Sequence, residues 1–157
     1  MTLLNPGDQF PSLTIALPGG DELDLPDTLA GHYGVVLVYR GSWCPYCNAQ
    51  LRAFQRDLDK LAQLDVRVVA LSVDDEATTR ATIDKHHLTF PVGYGADAGA
   101  VSKMIGSFVN PEPEYLQSTG FVLDPEGKVI VSVYSSGAIG RLVPEDVAGL
   151  IRYVRDH

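Results

Sequence analysis

Two cysteines three positions apart are the residues whose type and spacing most directly suggest chemistry. Cys44 and Cys47 lie in Arg40-Gly41-Ser42-Trp43-Cys44-Pro45-Tyr46-Cys47 and are the only cysteines in 157 residues. Such a pair can close a small disulfide ring and reopen it by exchange with another thiol. At the start of a helix, backbone N–H groups and the helix dipole favour a thiolate. Pro45 suits a first helical turn, where its missing N–H is not required. Trp43 can shield one side of the pair and offer an apolar surface; Tyr46 can do the same or hydrogen-bond. A structural zinc site needs four ligands. Here there is no second cysteine pair, and the adjacent His86 and His87 project in different directions. No metal and no cofactor are expected.

The flanking sequence places the pair between a strand and a helix. Val35-Val36-Leu37-Val38-Tyr39 is an unbroken apolar run, as in a strand buried on both faces. After the cysteines, Leu51, Phe54, Leu58, Leu61 and Leu64 recur at helical spacing, which predicts one helix running to about Gln63, ended by Asp65. Residues 66–73 form a second apolar run, so a right-handed crossover and parallel pairing follow. An inert, packed cysteine pair would leave its position at such a junction unexplained.

The remaining elements arrange themselves around this unit. Residues 13–25 alternate around Pro18-Gly19-Gly20-Asp21 and predict an N-terminal hairpin, followed by a short helical turn that ends at Gly31. Asp74 or Asp75 caps a helix over residues 78–85, with Ile83 and Leu88 as packing residues. Thr89-Phe90-Pro91-Val92 is extended, at a sheet edge. Asp97 caps a third helix whose apolar face carries Val101, Met104, Ile105 and Phe108. Asn110-Pro111-Glu112-Pro113-Glu114 reads as a loop. Residues 119–124 and 129–134 make a second hairpin, and a last helix begins near Pro144 with Val147, Leu150, Ile151 and Val154 on one stripe. A central mixed sheet with helices on both faces satisfies this α/β order, in a single domain over residues 1–157.

Composition bounds the function. The net charge of −8, from 20 acids against 12 lysines and arginines, with no basic cluster, disfavours a nucleic-acid surface. The apolar runs are too short to cross a bilayer, and the first residues show no secretory pattern, so a cytoplasmic protein without membrane contact is expected. His32, His86 and His87 read as surface or helix-end residues, and Asp74-Asp75-Glu76 as a helix start.

Trp43-Cys44-Pro45-Tyr46-Cys47 between a buried strand and a long helix resembles the thioredoxin-like superfamily. Gly7-Asp8-Gln9-Phe10-Pro11-Ser12-Leu13 and the stretch Thr119-Gly120-Phe121-Val122-Leu123-Asp124-Pro125-Glu126-Gly127-Lys128-Val129-Ile130 are similar to the opening and the late hairpin of its peroxiredoxin branch, the alkyl hydroperoxide reductase and thiol-specific antioxidant group. The resemblance runs from about residue 5 to 155. It implies a thioredoxin-like fold and puts Cys47 where peroxiredoxins carry the peroxide-attacking cysteine. Cys44 then takes the place of a threonine that orients peroxide, and Tyr39-Arg40 replaces an aromatic-proline pair. Ser118, just before Thr119, falls where peroxiredoxins keep an arginine and thioredoxins a cis-proline. Arg40 and Arg141 are the candidates to supply the missing charge.

Two mechanisms follow from the resemblance. In a thiol peroxidase, Cys47 attacks a hydroperoxide and Cys44 resolves the sulfenic acid as a disulfide, which an external dithiol such as thioredoxin or glutaredoxin reduces. In a protein thiol–disulfide oxidoreductase, Cys44, the more accessible first residue of a helix-start pair, attacks a disulfide substrate and Cys47 releases the product. A non-enzymatic binding module of the same fold is the third reading, and the resemblance also allows a homodimer.

Overall fold

In the computed structural model, which describes residues 3–157, five strands form a mixed sheet in the order β5-β4-β3-β8-β9. Strand β3 (Tyr33–Val38) is central, parallel to β4 (Val66–Leu71) and antiparallel to β8 (Thr119–Leu123). Strand β5 (Val92–Gly93) continues the parallel side, and β9 (Val129–Tyr134) pairs antiparallel with β8. Every residue of β3 after Tyr33 is buried, as its unbroken apolar run requires.

Side chains alternate across β3 into two cores. Val36 and Val38 face one containing Phe10, Phe121 and the hairpin of β1 (Leu13–Ala16) and β2 (Glu22–Leu25). Helix α4 (Ala98–Ile105) packs there through Val101 and Ile105. Val35, Leu37 and Tyr39 face the other core, with Leu51 and Phe54 of α1 (Pro45–Arg56), Leu61 of α2 (Leu58–Gln63) and Val147 and Ile151 of α5 (Pro144–Asp156). Helix α3 (Glu76–His86) adds Ile83 to this side. A short 3₁₀ turn over Asp27–Leu29 follows the front hairpin.

Three expectations need correction. The helix after the cysteines is two helices, broken at Asp57, whose carboxylate pairs with Arg56. Aspartate disfavours helix interiors because its short carboxylate competes for local backbone and side-chain donors. Phe108 does not continue the face of α4. Gly106 ends that helix in the left-handed conformation, and Phe108 stands partly exposed beyond it. Most consequential for the site, residues read as a loop make a small hairpin of β6 (Val109–Pro111) and β7 (Glu114–Leu116). Its three pairs are too few for the alternation by which a strand is recognised.

Candidate active site

Cys44 is the N-cap of α1, in extended geometry, and its sulfur accepts the Cys47 N–H at 3.2 Å. Pro45 occupies the first helical turn, where no N–H is needed. This cap puts both sulfurs at the carboxyl end of β3. Both cysteines are reduced and wholly buried, so Cys44 is not the exposed member of the pair. Trp43 and Tyr46 are each about half exposed and form the outer rim. Gly41 is needed beneath the indole, since a Cβ there would meet Trp43 Nε1 at 2.3 Å.

The two arginines singled out from the sequence divide between the two sulfurs. Arg141 Nη1 donates to Cys47 Sγ at 3.5 Å and to Gln50 Oε1 at 3.1 Å, while Nη2 donates to the Ala138 carbonyl at 2.6 Å. Gln50 in turn donates to the Leu142 carbonyl at 2.9 Å, which ties α1 to the loop carrying Arg141. Gly120 lets that loop approach β8, because a Cβ there would meet Leu142 at 2.7 Å. Arg40, the first residue after the β3 run, sends its backbone N–H to Cys47 Sγ at 3.4 Å and its guanidinium Nη1 to Cys44 Sγ at 3.8 Å.

These donors act unequally on the thiols. Burial alone pushes Cys44 up, but the thiol and N–H of Cys47, the Arg40 guanidinium and the charge of Arg141 outweigh it and hold Cys44 below the ordinary thiol value. Burial, reinforced by the proton that Cys47 shares with Cys44, pushes Cys47 up despite Arg40 N–H and Arg141. The site therefore favours the thiolate at Cys44 and disfavours it at Cys47.

Ser118 and Thr119 are buried nearby but spend their polar groups elsewhere. The Ser118 carbonyl accepts the Ser135 N–H, and the Thr119 hydroxyl donates to Ser107 Oγ at 2.8 Å. The acidic cluster splits: Asp75 caps α3, whereas Asp74 accepts the Ser42 N–H at 2.9 Å and braces the loop before the cysteines. His86 is buried at the end of α3 rather than on the surface, and burial beside Arg52, Lys85 and His87 lowers its pKa. Among the described residues no group of three or more His, Cys, Asp or Glu is placed to hold a metal ion.

The AhpC/TSA family model matches residues 6–132. The chain belongs to the AhpC/TSA family. As a member of that family it is a peroxiredoxin-like thiol peroxidase with a thioredoxin fold. It is 29% identical over 155 residues to a peroxiredoxin of Methanothermobacter thermautotrophicus, covering 95% of this chain and 71% of that protein. It is 28% identical over 150 residues to the thiol-disulfide oxidoreductase ResA of Bacillus cereus, covering 94% of this chain and 78% of that one. The fold is that of the peroxidoxin BcpB from Mycobacterium tuberculosis, with a TM-score of 0.83 at 18% identity over 97% of this chain and 99% of that one.

Gln50, Tyr115 and Gln117 are site residues that the sequence did not reveal. Tyr115 and Gln117 both touch Arg40, at 3.1 and 3.0 Å, from positions more than 70 residues away in the chain. Gln50 lies one turn beyond Cys47 on α1, where a polar residue on a buried stripe was the available signal.

Proposed function

We propose that this AhpC/TSA enzyme reduces hydroperoxides at Cys47 and resolves the product with Cys44. The observation that carries this assignment is the pair of donors converging on Cys47 Sγ, the Arg40 N–H at 3.4 Å and the Arg141 guanidinium at 3.5 Å. Donors so placed stabilise a thiolate and polarise an oxygen brought against it. Cys47 acts as the thiolate, its proton going to the departing oxygen. Its sulfur attacks the near peroxide oxygen, the O–O bond breaks, and the alkoxide leaves as alcohol after taking up a proton. The resulting sulfenic acid is attacked by Cys44; the S–S bond forms and water leaves. An external dithiol of the thioredoxin or glutaredoxin kind then restores both thiols by exchange.

A hollow of about 360 Å³ beside this centre is lined by Tyr46, Ala49, Gln50, Ala53, Arg141 and Val143, among others. Apolar Ala49, Ala53 and Val143 line it between Arg141 and the Arg56–Glu145 ion pair, a mixed lining that suits an organic hydroperoxide. A homodimer is proposed from the family alone. A cytosolic compartment is proposed because two cysteines make a redox pair rather than a disulfide scaffold.

The depressed thiol at Cys44 favours a second reading, in which Cys44 attacks protein disulfides. Single-turnover kinetics of the reduced variants separate the two. For the peroxidase, Cys47→Ser abolishes rapid peroxide consumption, and Cys44→Ser consumes one equivalent and stops at the sulfenic acid. Rapid reaction of Cys44 with protein disulfides, with no rapid peroxide reaction at either cysteine, reverses the assignment.

A further inference from the structure

The Arg40 guanidinium is held on every side yet has no carboxylate partner. Its Nε donates to Gln117 Oε1 at 3.0 Å and its Nη2 to the Tyr115 hydroxyl at 3.1 Å. Its plane lies 4.9 Å from the Trp43 ring centroid and 5.4 Å from that of Tyr115. The two rings themselves meet edge to face at 4.9 Å. None of the four ion pairs among the described residues includes Arg40. Its remaining nitrogen, Nη1, points to Cys44 Sγ at 3.8 Å. A planar fork fixed at two donors and stacked on two rings has little freedom to swing into solvent.

We propose that Tyr115 and Gln117, on and just after β7, are positioning residues that hold the Arg40 guanidinium against Cys44 and so set the redox balance of the Cys44–Cys47 pair. The proposal rests on reading the two cysteines as one redox pair, and not on which of them meets the peroxide. The physical reason is an asymmetry between the oxidation states. In the reduced pair Arg40 Nη1 faces the Cys44 sulfur at 3.8 Å and interacts most strongly with the negative charge of its thiolate form. In the disulfide that charge is gone, and the cation keeps only Gln117, Tyr115 and the two rings. A cation that interacts better with one state stabilises that state, as a ligand with differential affinity would. Stabilising the reduced form makes the disulfide the stronger oxidant and the easier one to reduce. The charged or titratable groups bearing on Cys44 are Arg40, Cys47 and Arg141, with Tyr115 reached through Arg40.

The balance is read in the exchange of protein disulfide with two molecules of glutathione. The protein S–S bond breaks, two electrons and two protons pass to Cys44 and Cys47, and one S–S bond forms between the glutathiones. Two measurements are made on each variant: the equilibrium constant of this exchange, and the pH midpoint of iodoacetamide alkylation of the reduced protein. Arg40→Met is expected to raise the midpoint by about one pH unit and, at a pH above both midpoints, to lower the equilibrium constant about tenfold, the same free energy. Tyr115→Phe, which keeps the ring and loses the acceptor, and Gln117→Met are each expected to move both readouts the same way by about threefold, less than a full hydrogen bond to a charged group because each bond is made in both oxidation states and only its hold on Arg40 is read. Arg40→Lys, which keeps the charge without the fork, is expected to fall between wild type and Arg40→Met.

Unchanged values in Arg40→Met overturn the role of Arg40. A shift in Arg40→Met with none in Tyr115→Phe or Gln117→Met overturns the positioning role of β7 and its flank. Tyr115→Phe removes one oxygen atom, and Gln117→Met checks the same bond pair independently if one variant folds poorly. Neither readout uses a peroxide, so a failure here is distinct from a failure of the Cys47 assignment.

Discussion

At the residue scale, the site is an arrangement of donors around two neighbouring sulfurs. The thiolate is favoured at Cys44 because its sulfur accepts an N–H as the helix cap and faces Arg40; Cys47 faces Arg141. In the proposed mechanism, chemistry at Cys47 depends on Arg141 twice, once to stabilise the thiolate and once to polarise the peroxide. Replacing Arg141 by Met is expected to slow peroxide consumption by about 10²-fold, the usual loss when one donor to a developing anion is removed. Arg141→Lys should recover part of it. Stopped-flow consumption of peroxide by the reduced protein measures this, and a rate within twofold of wild type would remove Arg141 from the mechanism. The carry-over of a charged residue to position 118 has no counterpart here, because Ser118 supplies backbone to the sheet end and the charge arrives from a different loop.

At the element scale, the stretch between β3 and α1 is braced from two sides. Asp74 takes the Ser42 N–H at 2.9 Å, and Asn48 donates to the Ser42 carbonyl at 3.0 Å. The brace has a cost in charge: burial, and then the neighbouring Asp75, push the Asp74 carboxyl above its usual value despite the Ser42 N–H. A carboxyl with a raised folded pKa contributes stability that is full below its unfolded value and is lost as pH rises through the folded value. Asp74→Asn keeps an acceptor for Ser42 without burying a charge. We expect it to be more stable than wild type at pH 7, by a margin that shrinks as the pH falls through the raised carboxyl value. Urea unfolding of both proteins at neutral and acidic pH tests this; a margin that widens on acidification contradicts it. The β6–β7 hairpin is the other element that matters, since Tyr115 reaches Arg40 from it.

At the scale of the whole molecule, the two cores share the central sheet, and Phe121 on β8 joins distant parts of one of them. It lies fully buried, edge-on to Phe10 at 5.3 Å and to Tyr134 at 5.7 Å. Phe121→Ala is expected to destabilise the chain by about 3–5 kcal/mol, the transfer loss plus the cavity left behind. If residues 1–157 form one domain, urea unfolding followed by fluorescence and by circular dichroism gives one coincident transition for both proteins. Separate transitions for the front hairpin and the sheet would contradict that.

The sequence by itself determined the position of the cysteine pair at a strand–helix junction, the parallel crossover, both larger hairpins and the capped helices. These rest on local rules: apolar periodicity, turn residues and caps. Arg40 and Arg141 were legible as candidate charges, but not which sulfur each serves, because that depends on how the loop carrying Arg141 returns to α1 through Gln50. Tertiary structure alone decided the burial of both cysteines, the break at Asp57, the β6–β7 hairpin and the clamp of Tyr115 and Gln117 on Arg40. Hydrogen bonds between side chains some 75 residues apart leave no periodic trace. The electrostatics of the pair changes most between the two views. Helix geometry favours the first cysteine and the family pattern the second, whereas the folded site lowers the Cys44 thiol and brings two further donors to Cys47.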